Sequence, residues 1–206
     1  MLYFERDCIL FKVNNKLKFI DYRPITPFEQ VRVKERGQYQ EITYTWLDPI
    51  RVSEKIVAKN QNSMFGIYFY DKDVIAFFSS SESNIGYVIN KFEKAFNIQF
   101  NKCDIYNQCK NNVLTENPNE FAELINIHLY KNSTEEYNIK KLSIKDIPNN
   151  ILKQYIISDQ VASLTFKFTD QKVSYFYLDK GSVITFPDTV KEEVVYNVLE
   201  KLIQVF

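Results

Sequence analysis

Glycine is scarce in this chain. There are four in 206 residues, Gly37, Gly66, Gly86 and Gly181, where an average protein carries about 7%. No two are close enough to build a G-x-G-x-x-G turn or a Walker loop, which excludes both of these phosphate cradles. Histidine is scarcer still, because His128 is the only imidazole and every mechanism needing a His base or ligand must run through it. Cysteine is odd in number, as Cys8, Cys103 and Cys109. The first residues reach Glu5, Arg6 and Asp7 before an apolar signal core could form. Reduced thiols and a cytoplasmic protein are the expectation. No apolar run approaches the ~18 residues of a membrane-spanning helix. Charge of one sign is also lacking: 26 Lys plus Arg balance 26 Asp plus Glu, leaving no global field to hold DNA or an anionic membrane.

What is abundant is apolar and aromatic, with 45% hydrophobic residues, 17 Phe and 14 Tyr, the composition of a folded chain. Frequent Ile, Asn and Lys point to an AT-rich genome, such as that of a low-GC bacterium or its phage. Residues 188–204 place Val190, Val194, Val195, Val198, Leu199, Leu202 and Ile203 at helical spacing behind a Thr189/Glu192 capping box. Residues 84–96, behind a Ser/Asn cluster, and residues 118–130, behind Asn117-Pro118, also predict amphipathic helices. The runs 67–70 and 74–78 predict one hairpin, and 164–168 with 173–178 a second. Residues 8–23 predict a third, turning at Asn14-Asn15.

Laying residue n on n + 99 aligns Pro49 with Pro148, Gln61 with Gln160, Phe69 with Phe168, Asp71 with Asp170, Val74 with Val173 and Phe77 with Phe176. Each half then reads as a Pro-initiated helix (49–59; 148–157), a hairpin turning at Asp, and a helix carrying a Glu-Lys pair. Duplication is the economical reading. The expected fold class is α+β: two similar units, each a mainly antiparallel sheet with helices on one face. The units would be 1–105 and 120–206, joined by an Asn-rich connection over 106–119 and packed as two lobes.

None of the polar residues assembles a catalytic set. His128, on the apolar stripe of the 118–130 pattern, reads as a partly buried, satisfied side chain. Cys103 and Cys109 have five residues between them, too many for a zinc knuckle. Asp170-Gln171-Lys172, with Asp159 upstream, has the Asp-x-Lys spacing of metal nucleases, yet Asp170 sits where a hairpin tip favours Asp for its turn geometry. No cofactor and no metal are implied.

Two binding surfaces stand out. Lys12, Lys16, Lys18, Arg23, Arg32, Lys34 and Arg36 interleave with Phe19 and Tyr22, a composition suited to single-stranded nucleic acid, although residues 1–40 hold only eight cations against five anions. In the first hairpin Tyr68 and Tyr70 take positions that alternation assigns to solvent, while Leu164, Phe166 and Phe168 of the second alternate cleanly with Thr165 and Lys167. Either the chain itself covers that first face or a protein partner does, with Tyr44, Trp46, Tyr68 and Tyr70 as its contacts. The leading expectation is a non-catalytic protein-binding module: an accessory, adaptor or inhibitor subunit of a cytoplasmic complex, of the kind used in bacterial or phage defence and immunity. A metal-dependent nuclease or phosphoryl hydrolase built from scattered Asp, Glu and Lys is the alternative, and single-stranded nucleic-acid binding is the third. No membrane partner is expected, and an unpaired strand edge would allow self-association.

Overall fold

The computed structural model describes residues 6–52, 55–115, 122–130, 139–169 and 173–204, with backbone alone at Ile20, 49–52 and 55–59. The fold is α+β, and the chain divides into two compact units, Met1–Cys103 and Asp104–Phe206.

The first unit contains β1 (Asp7–Val13), β2 (Glu29–Glu35), β3 (Gln40–Val52), β4 (Lys55–Phe69), β5 (Val74–Phe78), α1 (Glu82–Phe96) and β6 (Phe100–Lys102). Its strands pair antiparallel in the order β2-β3-β4-β5-β1-β6. Every residue of β5 is buried, which requires cover on both faces and explains why the 67–78 hairpin fails to alternate. Helix α1 starts where Ser81 accepts the Asn84 amide, as the Ser/Asn cluster predicts, and ends at Asn97 in the left-handed region. It buries Ile85, Val88 and Phe92. Phe92 is the hub, with ring centroids 5.3 Å from Tyr44, 5.5 Å from Phe19, 5.8 Å from Tyr22 and 6.1 Å from Phe77. Gly66 has a packing reason: a Cβ there would meet the Phe77 ring at 3.2 Å and the Ala76 carbonyl at 3.3 Å.

The second unit contains α2 (Ile105–Leu114), β7 (Ala122–Tyr130), β8 (Ile139–Ser143), α3 (Asn149–Ile157), β9 (Val161–Thr169), β10 (Val173–Asp179), β11 (Ile184–Thr185) and α4 (Glu192–Gln204). Its strands pair antiparallel in the order β11-β10-β9-β7-β8. The core is built from Leu164, Phe166, Phe168, Phe176 and Leu178 of the sheet together with Leu152, Ile156, Val195, Val198, Leu199 and Leu202 of the helices, all buried. Helix α2 is tied into this unit by its Tyr106, whose amide donates to Ser182 Oγ at 3.0 Å and whose hydroxyl donates to the Val161 carbonyl at 3.0 Å.

Five expectations change. Residues 49–59 are not a helix but the far part of the β3/β4 ribbon, where a register shift at Asp48/Pro49 accommodates the proline. The n + 99 match is therefore confined to the hairpin strands: the helix expected before the first hairpin is absent, α1 (Glu82–Phe96) and α4 (Glu192–Gln204) lie at a different offset, and duplication is not shown. Residues 122–130 form a strand, and residues 8–23 are not a hairpin, since β1 pairs with β5 and β6 while Phe19–Asp21 make a 3-10 turn. The Asn-rich connection carries helix α2, capped by Asp104. The last helix begins at Glu192, so Thr189 lies outside it and Lys191 supplies the carbonyl that accepts the Val194 and Val195 amides.

Candidate functional site

In an antiparallel sheet, paired residues point to the same face. With the second unit's core on one face, register assigns the other. Tyr177 pairs with Thr165 and Thr165 with Asn126; Tyr175 pairs with Lys167 and Lys167 with Glu123; His128 pairs with Lys141 and Tyr130 with Ile139. Val173, Tyr175 and Tyr177 are 52%, 43% and 38% exposed, and Tyr130 and Ile139 are 44% and 54% exposed. One sheet thus has a closed apolar core on its helix side and an open, tyrosine-rich surface on the other.

His128 sits within this open face, half-buried, with Nε2 at 2.9 Å from Thr165 Oγ1 and its ring edge-on to Tyr177 at 6.4 Å. Burial first, and the neighbouring Lys141 ammonium second, push its pKa below the ordinary imidazole value. It is a satisfied side chain, as expected, but on a strand. Lys167 lies 3.6 Å from Glu123.

The residues singled out in the first unit fall elsewhere. Tyr44, Trp46 and Tyr68 are 1%, 3% and 0% exposed, covered by the chain itself. Tyr87 of α1 stacks on Trp46 at 5.1 Å, Phe92 meets Tyr44, and Phe19 meets Tyr68 at 6.0 Å. Tyr68 Oη donates to Asp73 Oδ1 and accepts the Leu17 amide, each at 3.0 Å. Burial raises its pKa to about 12; Asp73 adds to this and the Leu17 amide opposes it. Tyr70, at the turn, is partly exposed. Of these four residues, three are core and do not form an open contact surface.

Lys12, Lys16, Lys18, Arg23, Arg32, Lys34 and Arg36 are all exposed, but the aromatic half of that expectation fails. Phe19 and Tyr22 are 5% and 7% exposed, so neither of these two rings offers a face for a base to stack upon. Arg36 is bound to Glu41 at 2.8 Å, and Arg23 donates to the Tyr22 carbonyl. Asp159 is exposed and ion-paired to Lys180, whose hydrogen bond holds the carboxyl below its ordinary range. Asp170 and Lys172 lie outside the described residues. Among the described residues no group of three or more His, Cys, Asp or Glu is placed to hold a metal. Cys8 is buried, which pushes its thiol pKa far upward and leaves it protonated.

A polar cluster that the sequence did not reveal lies under α1. Glu29 is buried, and its Oε1 accepts from Lys91 Nζ at 2.6 Å and Thr26 Oγ1 at 3.0 Å. Its Oε2 accepts from Tyr22 Oη at 3.1 Å and the Ile25 amide at 3.3 Å. Lys91 also lies over the Tyr87 ring, 5.3 Å from its centroid. Burial alone would raise the Glu29 pKa, but the Lys91 and Thr26 hydrogen bonds outweigh it and the net shift is downward. With its hydrogen bonds filled, this carboxylate is a clasp between helix, loop and sheet. The signal for it was Glu29 beside Tyr22 and Thr26, but its partner Lys91 is 62 residues away in sequence.

No protein-family model matches the chain, and no curated protein is significantly similar to it. Among the described residues no helix is long and apolar enough to cross a membrane.

Proposed function

We propose that the chain is a non-catalytic protein-binding module, an accessory, adaptor or inhibitor subunit of a cytoplasmic complex, and that it binds through the open face of the second unit's sheet. One observation carries this reading. Five of its large exposed apolar side chains, Tyr130, Ile139, Val173, Tyr175 and Tyr177, gather on one sheet face, although that sheet already has a complete core on its other side. Val173, Tyr175 and Tyr177 follow one another on the outward side of β10 and Tyr130 pairs with Ile139 across β7 and β8, so these side chains are exposed in two sets rather than singly, and grouped exposed apolar residues point to an interaction surface. Tyrosine is the residue that interface cores favour, because it supplies area at small entropic cost. Three free cysteines suit a reducing compartment.

The experiment replaces Tyr175 with a photo-crosslinking amino acid in the native host and compares captured proteins with those from a Tyr175→Ser/Tyr177→Ser chain. A discrete crosslinked partner whose association is lost in the double variant, with circular dichroism unchanged, is the expected result. An intact complex in the double variant would remove this face from function.

A further inference from the structure

The second unit's sheet has an incomplete edge beside the tyrosine row, and its main-chain chemistry defines what completes it. Along a strand, successive residues turn their N–H and C=O groups to opposite sides. The Lys180 amide donates to the Ala162 carbonyl on the β9 side, whereas the Asp179 amide donates to the Val183 carbonyl on the β11 side. Counting back in twos, Ser174 and Phe176 bond to β9, while Val173, Tyr175 and Tyr177 turn their main-chain groups the other way. Tyr177 meets Thr185 of β11. The next partners in that register would be Pro187 for Tyr175 and Thr189 for Val173, but β11 ends at Thr185. Pro187 has no N–H to give, and its carbonyl accepts the Val190 amide instead. Among the described residues, Val173 and Tyr175 therefore keep two N–H and two C=O groups without a main-chain partner, at positions 52% and 43% exposed.

We infer that this edge receives an extended segment of a partner protein, which adds to the sheet as a β-strand beside β10 and forms its main-chain hydrogen bonds with Val173 and Tyr175; the inference rests on the protein-binding reading above. In strand addition the main-chain bonds supply affinity and alternate side chains supply specificity. Every second side chain of the added strand stands level with Val173 and Tyr175 on the open face, ~4.5–5.5 Å away between Cβ atoms, where β-branched and aromatic residues pair favourably. The opposite edge of the same sheet is built differently. Strand β8 carries Lys140 and Lys141, both exposed, and charged side chains, lysine above all, keep an edge from pairing with another strand. The open stretch of β10, Val173-Ser174-Tyr175-Phe176, holds no charge and no proline.

The test follows amide hydrogen exchange of the full chain by NMR. In the free protein the amides of Val173 and Tyr175 should exchange close to the rate of an unstructured peptide, while those of Ser174 and Phe176, bonded to β9, should exchange at least about tenfold more slowly. The chain is then mixed with a blocked peptide, Lys-Thr-Val-Thr-Val-Thr-Lys, and with the same peptide N-methylated at its five central residues. The first is expected to slow exchange at Val173 and Tyr175 at least about tenfold at saturation, and the second to leave it unchanged, because it has no amide donors to offer. Val173→Pro deletes one outward amide at the first residue of the strand, where proline is tolerated, and should abolish the slowing at Tyr175, whereas Val173→Ala should keep it. Protection at Phe176 reports that the sheet of the variant is intact; where it is lost, the two peptides decide alone. Protection of Val173 and Tyr175 in the free chain, no slowing by the first peptide, equal action of the N-methylated peptide, or full slowing in an intact Val173→Pro chain would each overturn the inference. If position 175 crosslinks a partner that the Val173→Pro chain still binds like wild type, strand addition falls alone. If position 175 crosslinks nothing and the tyrosine variant keeps all its associations, the protein-binding reading falls and takes strand addition with it.

Discussion

Replacing Glu29 with Gln tests whether the buried clasp holds the first unit together. The carboxylate presents two acceptor oxygens to four donors, namely Lys91, Thr26, Tyr22 and the Ile25 amide. The Gln amide keeps one acceptor and sets an NH2 group against two of those donors, so at least two hydrogen bonds are lost and Lys91 is left without its counter-charge. A hydrogen bond to a charged group contributes about 1.5–3 kcal/mol and a neutral one about 1 kcal/mol. Breaking a fully buried ion pair costs about 3–5 kcal/mol. Because the Lys91 side chain retains 19% exposure, part of its hydration survives, and about 2–4 kcal/mol is expected. Trp46 is the natural reporter: it is the single tryptophan, it is buried, and it pairs with Glu29 across the β2/β3 register. With a urea m-value of about 2 kcal/mol/M, its fluorescence midpoint should fall by about 1–2 M at neutral pH. The acid limb gives an independent check. The folded Glu29 pKa is depressed, so its stabilisation is fully present above the ordinary carboxyl value of about 4.3 and is lost as pH falls through the lower folded value. Wild type should lose stability across that window, and Glu29→Gln should lose less. A destabilisation below about 0.5 kcal/mol, or an unchanged acid slope, would refute the clasp.

Three other outcomes are expected. Tyr68→Phe leaves the buried Leu17 amide without its acceptor, which should cost about 1–3 kcal/mol in chemical unfolding while leaving protein association intact, since Tyr68 is core. Phe92→Ala removes the ring that α1 inserts among Tyr22, Tyr44 and Phe77 and should cost about 3–5 kcal/mol, measured by the same Trp46 transition. His128 has a lowered pKa, so its NMR midpoint should lie below about 6.5 and rise in Lys141→Ala. The stability it contributes is present above the ordinary imidazole value and declines as pH falls through the folded one, a decline that His128→Gln should remove.

Helices with caps were legible from sequence, because their signals are local. Ser81 and Asn97 bound α1 and Pro148 opens α3, each readable within a single turn. Strands carrying bulges were not. In β7 the pairing shifts between Leu124 and Asn126 and again between His128 and Leu129. The first shift leaves Ile125 as an extra residue in β7 and breaks its two-residue period, while the second leaves Ala162 extra in the facing strand β9. The apolar positions Leu124, Ile125 and Leu129 then imitate a helical stripe, which is why the segment reads as a helix. The proline at 49 misleads in the same manner, since a bulge lets it sit within a ribbon where unbroken pairing would exclude it.

The face proposed here for binding was missed through a misreading of what broken alternation means. Tyr68 breaks alternation because both faces of its hairpin are buried, and a tyrosine can be buried there only because Asp73 and the Leu17 amide satisfy its hydroxyl. That local partner set cannot be inferred from the run of residues 67–70. The open surface lies instead on β10, where alternation holds: Phe176 and Leu178 are buried, while Val173, Tyr175 and Tyr177 point outward. Sequence alone contained that signal, because once Phe176 and Leu178 define the core side, the residues between them are fixed on the solvent side, where two tyrosines and a valine have no folding reason to be. A strand that alternates correctly and is still apolar on its wet face is therefore a better pointer to a partner than one that fails to alternate, since the fold has already been satisfied without those side chains.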